Sequence, residues 1–465
     1  MRSLARTKET KEKSFGVSYP LTEFYDLPGL NPHQDWPYEI LHGALLGYVK
    51  YLWRATIKTK PIKRDLEKLA LCFDGLNKDK IEHMLTGKQV LCWSGSFNGR
   101  DFRTLVQLWP STLLAFYRCQ ECSDEVKKLI KLWFMAGRLT RLLYMPSIGD
   151  LDDWCLSVND VSNNLLRLWI ELWGFEDIRA KTKLHHLFHI PMWARRFGPP
   201  LAGSAEVNEA ANKKIRRQLE LTNRKAGSRD LAFKATITAG LQFLAQGGIW
   251  APANSEKMTR PGRALRKLCR EERTRKHIGL PPLTDEGGFG VLTFNFRGKV
   301  GDGLVSKSDL RKWGIPYHPS QVVEYLSFSR FSTSDPKLKG GIGSAILLKD
   351  RPEKLFRIVN ILRTSPNTSM QSFFVLEEFV LETSPDDGGL IELGITLYKR
   401  KRDLFHTAET CLLGAVVNVQ HVCTVECDAV DSPVAYRMER EEVSGYRWKH
   451  AEDGRWMINP NMLCS

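Results

Sequence analysis

The chain has 465 residues, a formal charge of +15 and 42% hydrophobic residues, including 13 Trp and 22 Phe. That apolar content excludes a disordered chain, and the length predicts two or three domains. Ten cysteines are too few for a disulfide scaffold, no apolar run reaches the roughly 18 residues of a membrane span, and the polar, basic Met1–Lys13 does not read as a signal peptide.

An intracellular, reducing compartment is therefore expected. The charge is unevenly placed: residues 1–280 hold 46 Lys+Arg against 29 Asp+Glu, whereas the remainder holds 22 against 24. A basic first part and a neutral second part predict that the first meets a polyanion, nucleic acid above all.

Residues 1–36 read as an irregular lead-in broken at Pro20, Pro28, Gly29 and Pro32, and residues 37–250 as a helical domain. Pro37 opens an apolar helix to about Ile57, on which Glu39 and His42, three apart, share a face. Such a pair is ordinarily an N-terminal carboxylate and a packed histidine. Residues 62–85 carry Leu66, Leu69, Leu71 and Phe73 near helical spacing. Ser94–Arg103 is a glycine-broken turn feeding a helix at about Asp101; it could cradle a phosphate but lacks P-loop spacing. Helices are then predicted over 101–118, 123–145 and 150–173, their aromatic stripe forming a core. Cys119 and Cys122 have the spacing of half a zinc site, with no second half nearby.

Lys181–Arg217 concentrates the chemistry. It holds His185, His186 and His189, the doubled Arg195-Arg196, a break at Pro199-Pro200, and a helix that Ser204 can cap. Glu206 and Glu209 fall near its positive N-terminal turn, followed by Lys213, Lys214, Arg216 and Arg217, then Arg224 and Lys225. Carboxylates beside a cationic face suit a divalent ion and a phosphate chain; they also suit an ordinary capped surface helix. HHLFH lacks the glutamate of a zinc protease, and packed histidines are the plainer expectation. A helix over 229–246 closes at Gly247-Gly248. Within a linker at 251–280, residues 257–276 read as one basic helix presenting Arg260, Arg263, Arg266, Lys267, Arg270 and Arg273 along one side. That pattern tracks phosphates or simply forms a solvated face.

Past Leu280 the pattern becomes short alternating runs, and residues 281–465 read as a β-rich domain. Strands are predicted at Val291–Phe296, Ala345–Lys349, Phe356–Leu362, Ser372–Glu382, Ile391–Tyr398, Ala415–Val419 and Ala435–Met438, with a hairpin turn at Asp350–Glu353. Near the end, His421, Cys423, Cys427 and His450 could hold a structural zinc ion or form a packed cluster.

KLHHLFHIP, RRFGPPL, AEVNEAAN and GSRDLAF together resemble a block in fungal proteins derived from CACTA-type DNA transposons. Glu39-x-x-His42 resembles that family's acid-x-x-His signature, GSFNGRDFR another of its motifs, and Asn418–Cys423 its tail. The stretch GIGSAILLKDRPEKLFRIVNILR resembles the opening of barrel modules related to bromo-adjacent-homology domains. The resemblance implies a ribonuclease-H-like core whose DDE carboxylate triad uses magnesium or manganese to cleave and join DNA strands. Glu209 would be its third acid, and His42 a brace for the core. The chain departs from that pattern: no strand-borne acid pair precedes Glu39, Asp26 and Asp35 sit in broken loops, and Asn208 replaces an aromatic residue. The expected architecture is α+β and multidomain: a helical transposase remnant followed by a barrel-like β domain.

Three functions follow as expectations. The first is a catalytically incomplete transposase remnant, nuclear, that binds DNA or chromatin through basic helices. The second is an active transposase subunit using Glu209 with carboxylates from elsewhere, a partner chain or a lost exon; a homo-oligomer is a separate expectation for its partners. The third is a protein-interaction module, with a chromatin protein as partner of the β domain.

Overall fold

Apolar residues at helical spacing dominate residues 37–204, and the described residues there are mainly helical. The structure is a computed structural model. It describes residues 35–463 apart from 36, 119–121, 207, 208, 210, 211, 213, 214, 217, 218, 221, 223, 224, 252–257, 279, 281–293, 316–324, 334–337, 365–370, 383–394, 423–427, 439–440 and 450–454. The chain forms two compact units, Met1–Ser204 with Phe294–Ser465, and Ala205–Thr293.

A wide π-helical stretch, Leu41–Val49, leads into α1 (Lys50–Thr56). Gly47 breaks the helical dihedrals, and an added Cβ would crowd the His42 carbonyl and the Lys183 side chain. Then come α2 (Lys60–Gly75), α3 (Gly87–Trp93), α4 (Gly99–Tyr117), α5 (Asp124–Leu143) and α6 (Leu151–Trp173). The last three match the predicted helices to within about two residues at each end. Short helices α7 (Phe175–Arg179), α8 (Thr182–His185) and α9 (Ile190–Phe197) finish this body.

Its core is aromatic. Trp53 meets Trp109 edge-on with ring centroids 4.8 Å apart and Trp133 at 6.5 Å, and Trp133 Nε1 donates to Thr56 Oγ1 at 2.9 Å. Each such ring buries about 150–250 Å², so α1, α4 and α5 are locked at their crossing. The glycine-broken turn before α4 is a helix cap. Asn98 accepts from the backbone N–H groups of Arg100 and Asp101, while Asp101 accepts from Asn98 N at 2.8 Å. Its orphan donors are satisfied from within, so no phosphate is needed there.

Asp65 on α2 lies against Arg64 and accepts from Tyr117 Oη at 3.0 Å. The Arg64 hydrogen bond, against the opposing effect of burial, holds its carboxyl below the usual range, aided by Tyr117. A depressed folded-state pKa stabilises above the unfolded value and is lost as pH falls through the folded one. Denaturation midpoints from about pH 5 to 2 should fall less steeply in Asp65→Asn than in the native chain.

The second unit holds α10 (Gly227–Ala245), ended by Gly247 at φ +84°, and two short helices, α11 (Arg263–Leu268) and α12 (Glu272–Ile278). The single basic helix expected over 257–276 is therefore interrupted. Residues 258–262 are non-helical, Trp250 and Thr259 pair as a β-bridge, and Cys269 and Arg275 turn inward between the two helices.

Apart from α13 (Lys307–Lys312), which follows its first strand, the β module is an antiparallel sheet. Its strands are β1 (Phe294–Leu304), β2 (Tyr325–Thr333), β3 (Lys339–Gly341), β4 (Ala345–Leu348), β5 (Arg351–Thr364), β6 (Ser372–Glu382), β7 (Leu397–Glu409), β8 (Leu413–Val417), β9 (Val419–His421) and β12 (Arg455–Ile458). The order is β1-β2-β5-β6-β7-β12-β9, with β4 pairing both β5 and β8 and β3 pairing β2; β10 (Asp428–Met438) and β11 (Glu441–Lys449) form a separate hairpin. This path of hydrogen-bonded strands does not close. The β4–β5 hairpin turns at Lys349-Asp350, because Leu348 pairs Arg351, one residue earlier than the predicted Asp350–Glu353. The strand expected at Ile391–Tyr398 begins instead at Leu397, with 391–394 outside the described residues.

The α+β division is thus helices first and antiparallel sheet second, but both belong to one unit. Leu397, Val422, Met457 and Leu463 are buried in the same apolar cluster as the helical tryptophans. The boundaries expected at 250 and 281 do not coincide with this division in space. Shared burial joins the β module to residues up to 204, while residues 205–293 contribute to no apolar cluster among the described residues.

Candidate functional site

Glu39 and His42 are a helix start. The Glu39 carboxylate accepts from the backbone N–H of Leu41 and of His42, each at 2.8 Å, and lies 2.6 Å from His42 Nδ1. Two charge-assisted bonds to orphan N–H groups are what an N-terminal carboxylate supplies. His42 is exposed, so it is not the packed histidine that such a pair ordinarily supplies.

Folding brings the histidine block to this same place. Lys183, on α8, donates to the Leu46 carbonyl at 3.3 Å. Burial first, then neighbouring Lys50, pull its ammonium below the ordinary lysine range, with Glu39 opposing. The approach of α8 is set one turn earlier: Lys181 Nζ reaches Asp177 at 2.6 Å, and Trp169 Nε1 donates to the same carboxylate at 2.8 Å.

The histidines are not core residues. His185 and His186 are exposed, and His185 Nε2 and His189 Nε2 stand 3.0 Å apart. The reason lies in the backbone: a short 3-10 turn, His186–His189, buries Leu187 and swings its neighbours outward. His186 is pulled below the usual imidazole range by burial first and then by His185 and His189. Among the described residues no group of three or more His, Cys, Asp or Glu could hold a metal ion. The doubled arginine is engaged on the surface: Arg195 meets Asp152 at 2.6 Å, and Arg196 pairs with Asp35. Asp35, the nearest acid to the expected triad, is thus neutralised by Arg196.

Glu209 lies in the second unit, exposed on a helical turn, its N–H donating to the Ala205 carbonyl at 2.8 Å. Arg216 and Lys225 are exposed there, whereas Lys213, Lys214, Arg217 and Arg224 lie outside the described residues. Arg260, Arg263, Lys267, Arg270 and Arg273 are all exposed, and none makes an ion pair among the described residues. Nothing is described of the Arg266 side chain. The carboxylates present do not assemble a two-metal site: Asp35 is paired with a guanidinium, Glu39 caps a helix, and no third acid joins them among the described residues.

The tail motif has a different role from the one its cysteines implied. Cys423, Cys427 and His450 lie outside the described residues; His421 is buried, its ring 5.2 Å from that of Trp456. The chemistry instead sits on Asn418 and Gln420. Asn418 Nδ2 donates to the carbonyls of Asn77 (3.0 Å) and Asp79 (2.8 Å), and Gln420 exchanges hydrogen bonds with the Asn77 backbone at 2.7 and 3.0 Å. Asn459 Nδ2 donates to the Gln107 carbonyl at 3.1 Å, and Leu463 N to Gln107 Oε1 at 3.1 Å. These amides form a buried seam that joins the β strands to the α2–α3 loop and to α4. The signal was present in the sequence: Asn418 and Gln420 alternate with Val417 and Val419, placing both amides on one face of a strand.

No family model matches the chain, and no curated protein or solved structure shows a significant match to it.

Proposed function

We propose that this chain is a transposon-derived, catalytically incomplete protein that binds DNA through its basic helices. The observation that carries the reading is the set of five exposed cations on residues 260–273, none ion-paired among the described residues, in a segment, Ala205–Thr293, with 17 Lys+Arg against 9 Asp+Glu. A cation with no ion pair to break can turn to a phosphate at the cost of side-chain ordering alone, and each contact releases counterions. Because α11 and α12 are separated by a turn, they meet a duplex as two short patches, without the continuous stripe the sequence implied. Nuclear residence follows from that role.

The incompleteness rests on the engagement of Asp35 and Glu39 described above. The helical body then stands for the helical insertion of such an enzyme, and the turn bearing Glu209 for its final core helix. The β module is read as barrel-like: one apolar cluster takes Ala345, Leu355, Phe379, Tyr398, Val417, Val419 and Trp456, one from each of β4 to β9 and β12. β8 and β9 are separated only by Asn418, and the run they form pairs β4 at one end and β12 at the other, which supports that reading.

Substituting Arg260, Arg263, Lys267, Arg270 and Arg273 by glutamine should lower the slope of log affinity against log salt by about 4–5 on duplex DNA, at roughly 0.9 per phosphate. An unchanged slope, measured by fluorescence anisotropy, removes the proposal. Strand cleavage with magnesium or manganese that is lost in Glu209→Ala would instead establish the active-subunit reading.

A further inference from the structure

His185 and His189 make no ion pair among the described residues, yet they turn the same atom toward each other, Nε2 to Nε2 at 3.0 Å. The backbone beneath them sets that approach. Leu184, Leu187 and Ile190 are fully buried in the core of the helical body and pin the chain on both sides of the 3-10 turn His186–His189. His185, the last residue of α8, and His189, four residues on, are left on the outer side. The Trp193 ring lies 5.6 Å from that of His189 and 6.0 Å from that of His186, which limits how those rings can turn. Two imidazole nitrogens are thus converged by packing that they do not themselves supply.

Geometry selects what the pair takes. With metal–nitrogen bonds of about 2.0–2.1 Å, nitrogens 3.0 Å apart subtend about 91–97° at the ion. That is the cis angle of octahedral or tetragonal coordination, whereas a tetrahedral ion would hold them about 3.3–3.4 Å apart. No third His, Cys, Asp or Glu completes a set among the described residues, so water fills the other positions. Neutral imidazole and water around a near-right angle suit nickel(II) or copper(II). Neither Nδ1 makes a hydrogen bond among the described residues, so each can carry the ring proton toward solvent and leave both Nε2 lone pairs for the ion. A proton shared between the rings is the competing occupant, and it uses only one of those lone pairs.

We infer that His185 and His189 chelate one late divalent transition-metal ion, nickel(II) or copper(II), through Nε2. The ion clamps the elbow between α8 and α9. His186 is not a ligand: its ring stands edge-on to Trp193, with the planes at 84°. The site is separate from the DNA reading, and neither depends on the other.

Calorimetric titration of the full chain, without DNA, tests this with nickel(II), which does not oxidise the chain's thiols. The native chain should show a site that His185→Ala and His189→Ala each weaken at least about tenfold, since losing even an outer-shell partner of a ligand costs about 10–100-fold. His186→Ala should keep that site. Nickel should raise the thermal midpoint of the native chain and of His186→Ala, and leave that of the two pair variants unmoved. All three variants should match the native far-ultraviolet circular dichroism, because these side chains are not core residues. Equal nickel binding by the native chain and His185→Ala overturns the inference, and so does a loss in His186→Ala as large as that in His185→Ala. Zinc held by the pair more tightly than nickel overturns the choice of ion.

Discussion

Replacing Asn418 by alanine should destabilise the first unit by about 3–5 kcal/mol, measured by urea denaturation. Asn418 is 1% exposed and fully used: Nδ2 reaches the carbonyls of Asn77 and Asp79, while Oδ1 accepts from Gln420 Nε2 at 2.8 Å and from Asn459 Nδ2 at 3.1 Å. A typical neutral hydrogen bond contributes only about 1 kcal/mol, but a buried group left without its partner costs about 1–3. Alanine orphans the Asp79 carbonyl and breaks two amide–amide bonds, so the cost exceeds any one bond. Hydrogen exchange should localise it, with protection falling along β8, β9 and β12 before it falls in α4 and α5. A loss under about 1 kcal/mol would mean that water replaces the seam and that the amides are not what joins the β strands to the helices.

A comparable loss, about 3–5 kcal/mol, is expected for Asp74→Ala. Asp74 and Lys78 form an ion pair at 3.2 Å with side chains only 8% and 10% exposed. Asp74 Oδ1 also accepts from Gly87 N at 2.9 Å, and Lys78 Nζ donates to the Leu85 carbonyl at 3.1 Å, 5.0 Å above the Phe73 ring. Burial drags the ammonium below its ordinary range, with Asp74 pulling it back. Removing the carboxylate therefore leaves a desolvated cation with one carbonyl and a ring face. The double substitution Asp74→Ala with Lys78→Met should recover much of the loss, because an absent pair costs less than a broken one. Gly87→Ala tests the same junction sterically: its Cβ would lie far closer to the Ala70 carbonyl oxygen than van der Waals contact allows. The lock matters to the seam, because α2 and α3 hold between them the Asn77 and Asp79 carbonyls that the β strands bind.

These two changes act on partnerships that no spacing rule discloses, although the alternation at 417–420 marks the strand face that carries the amides. The helices α4, α5 and α6 were legible because their apolar residues recur every three to four positions and caps such as Ser123 and Asp150 precede them. β6 was legible to the residue, since Ser372–Glu382 is a mostly apolar run lying between polar stretches of sequence. Glu39 as an N-terminal carboxylate was legible for the same local reason. The basic run at 257–276 reads as one helix and is not, because a charge pattern registers period but not the inward turn of Cys269 and Arg275.

The sequence by itself determined the class of each segment, the cationic bias of the first 280 residues and the positions of the longest helices, since those depend on neighbours a few residues away. Only the tertiary structure decided where the units divide, that the histidines face outward, that Asp35 is spent on Arg196, and that Asn418 and Gln420 grip a loop some 340 residues earlier. Those outcomes depend on which carbonyls and carboxylates arrive from distant parts of the chain. A residue's own type and spacing carry no record of such partners.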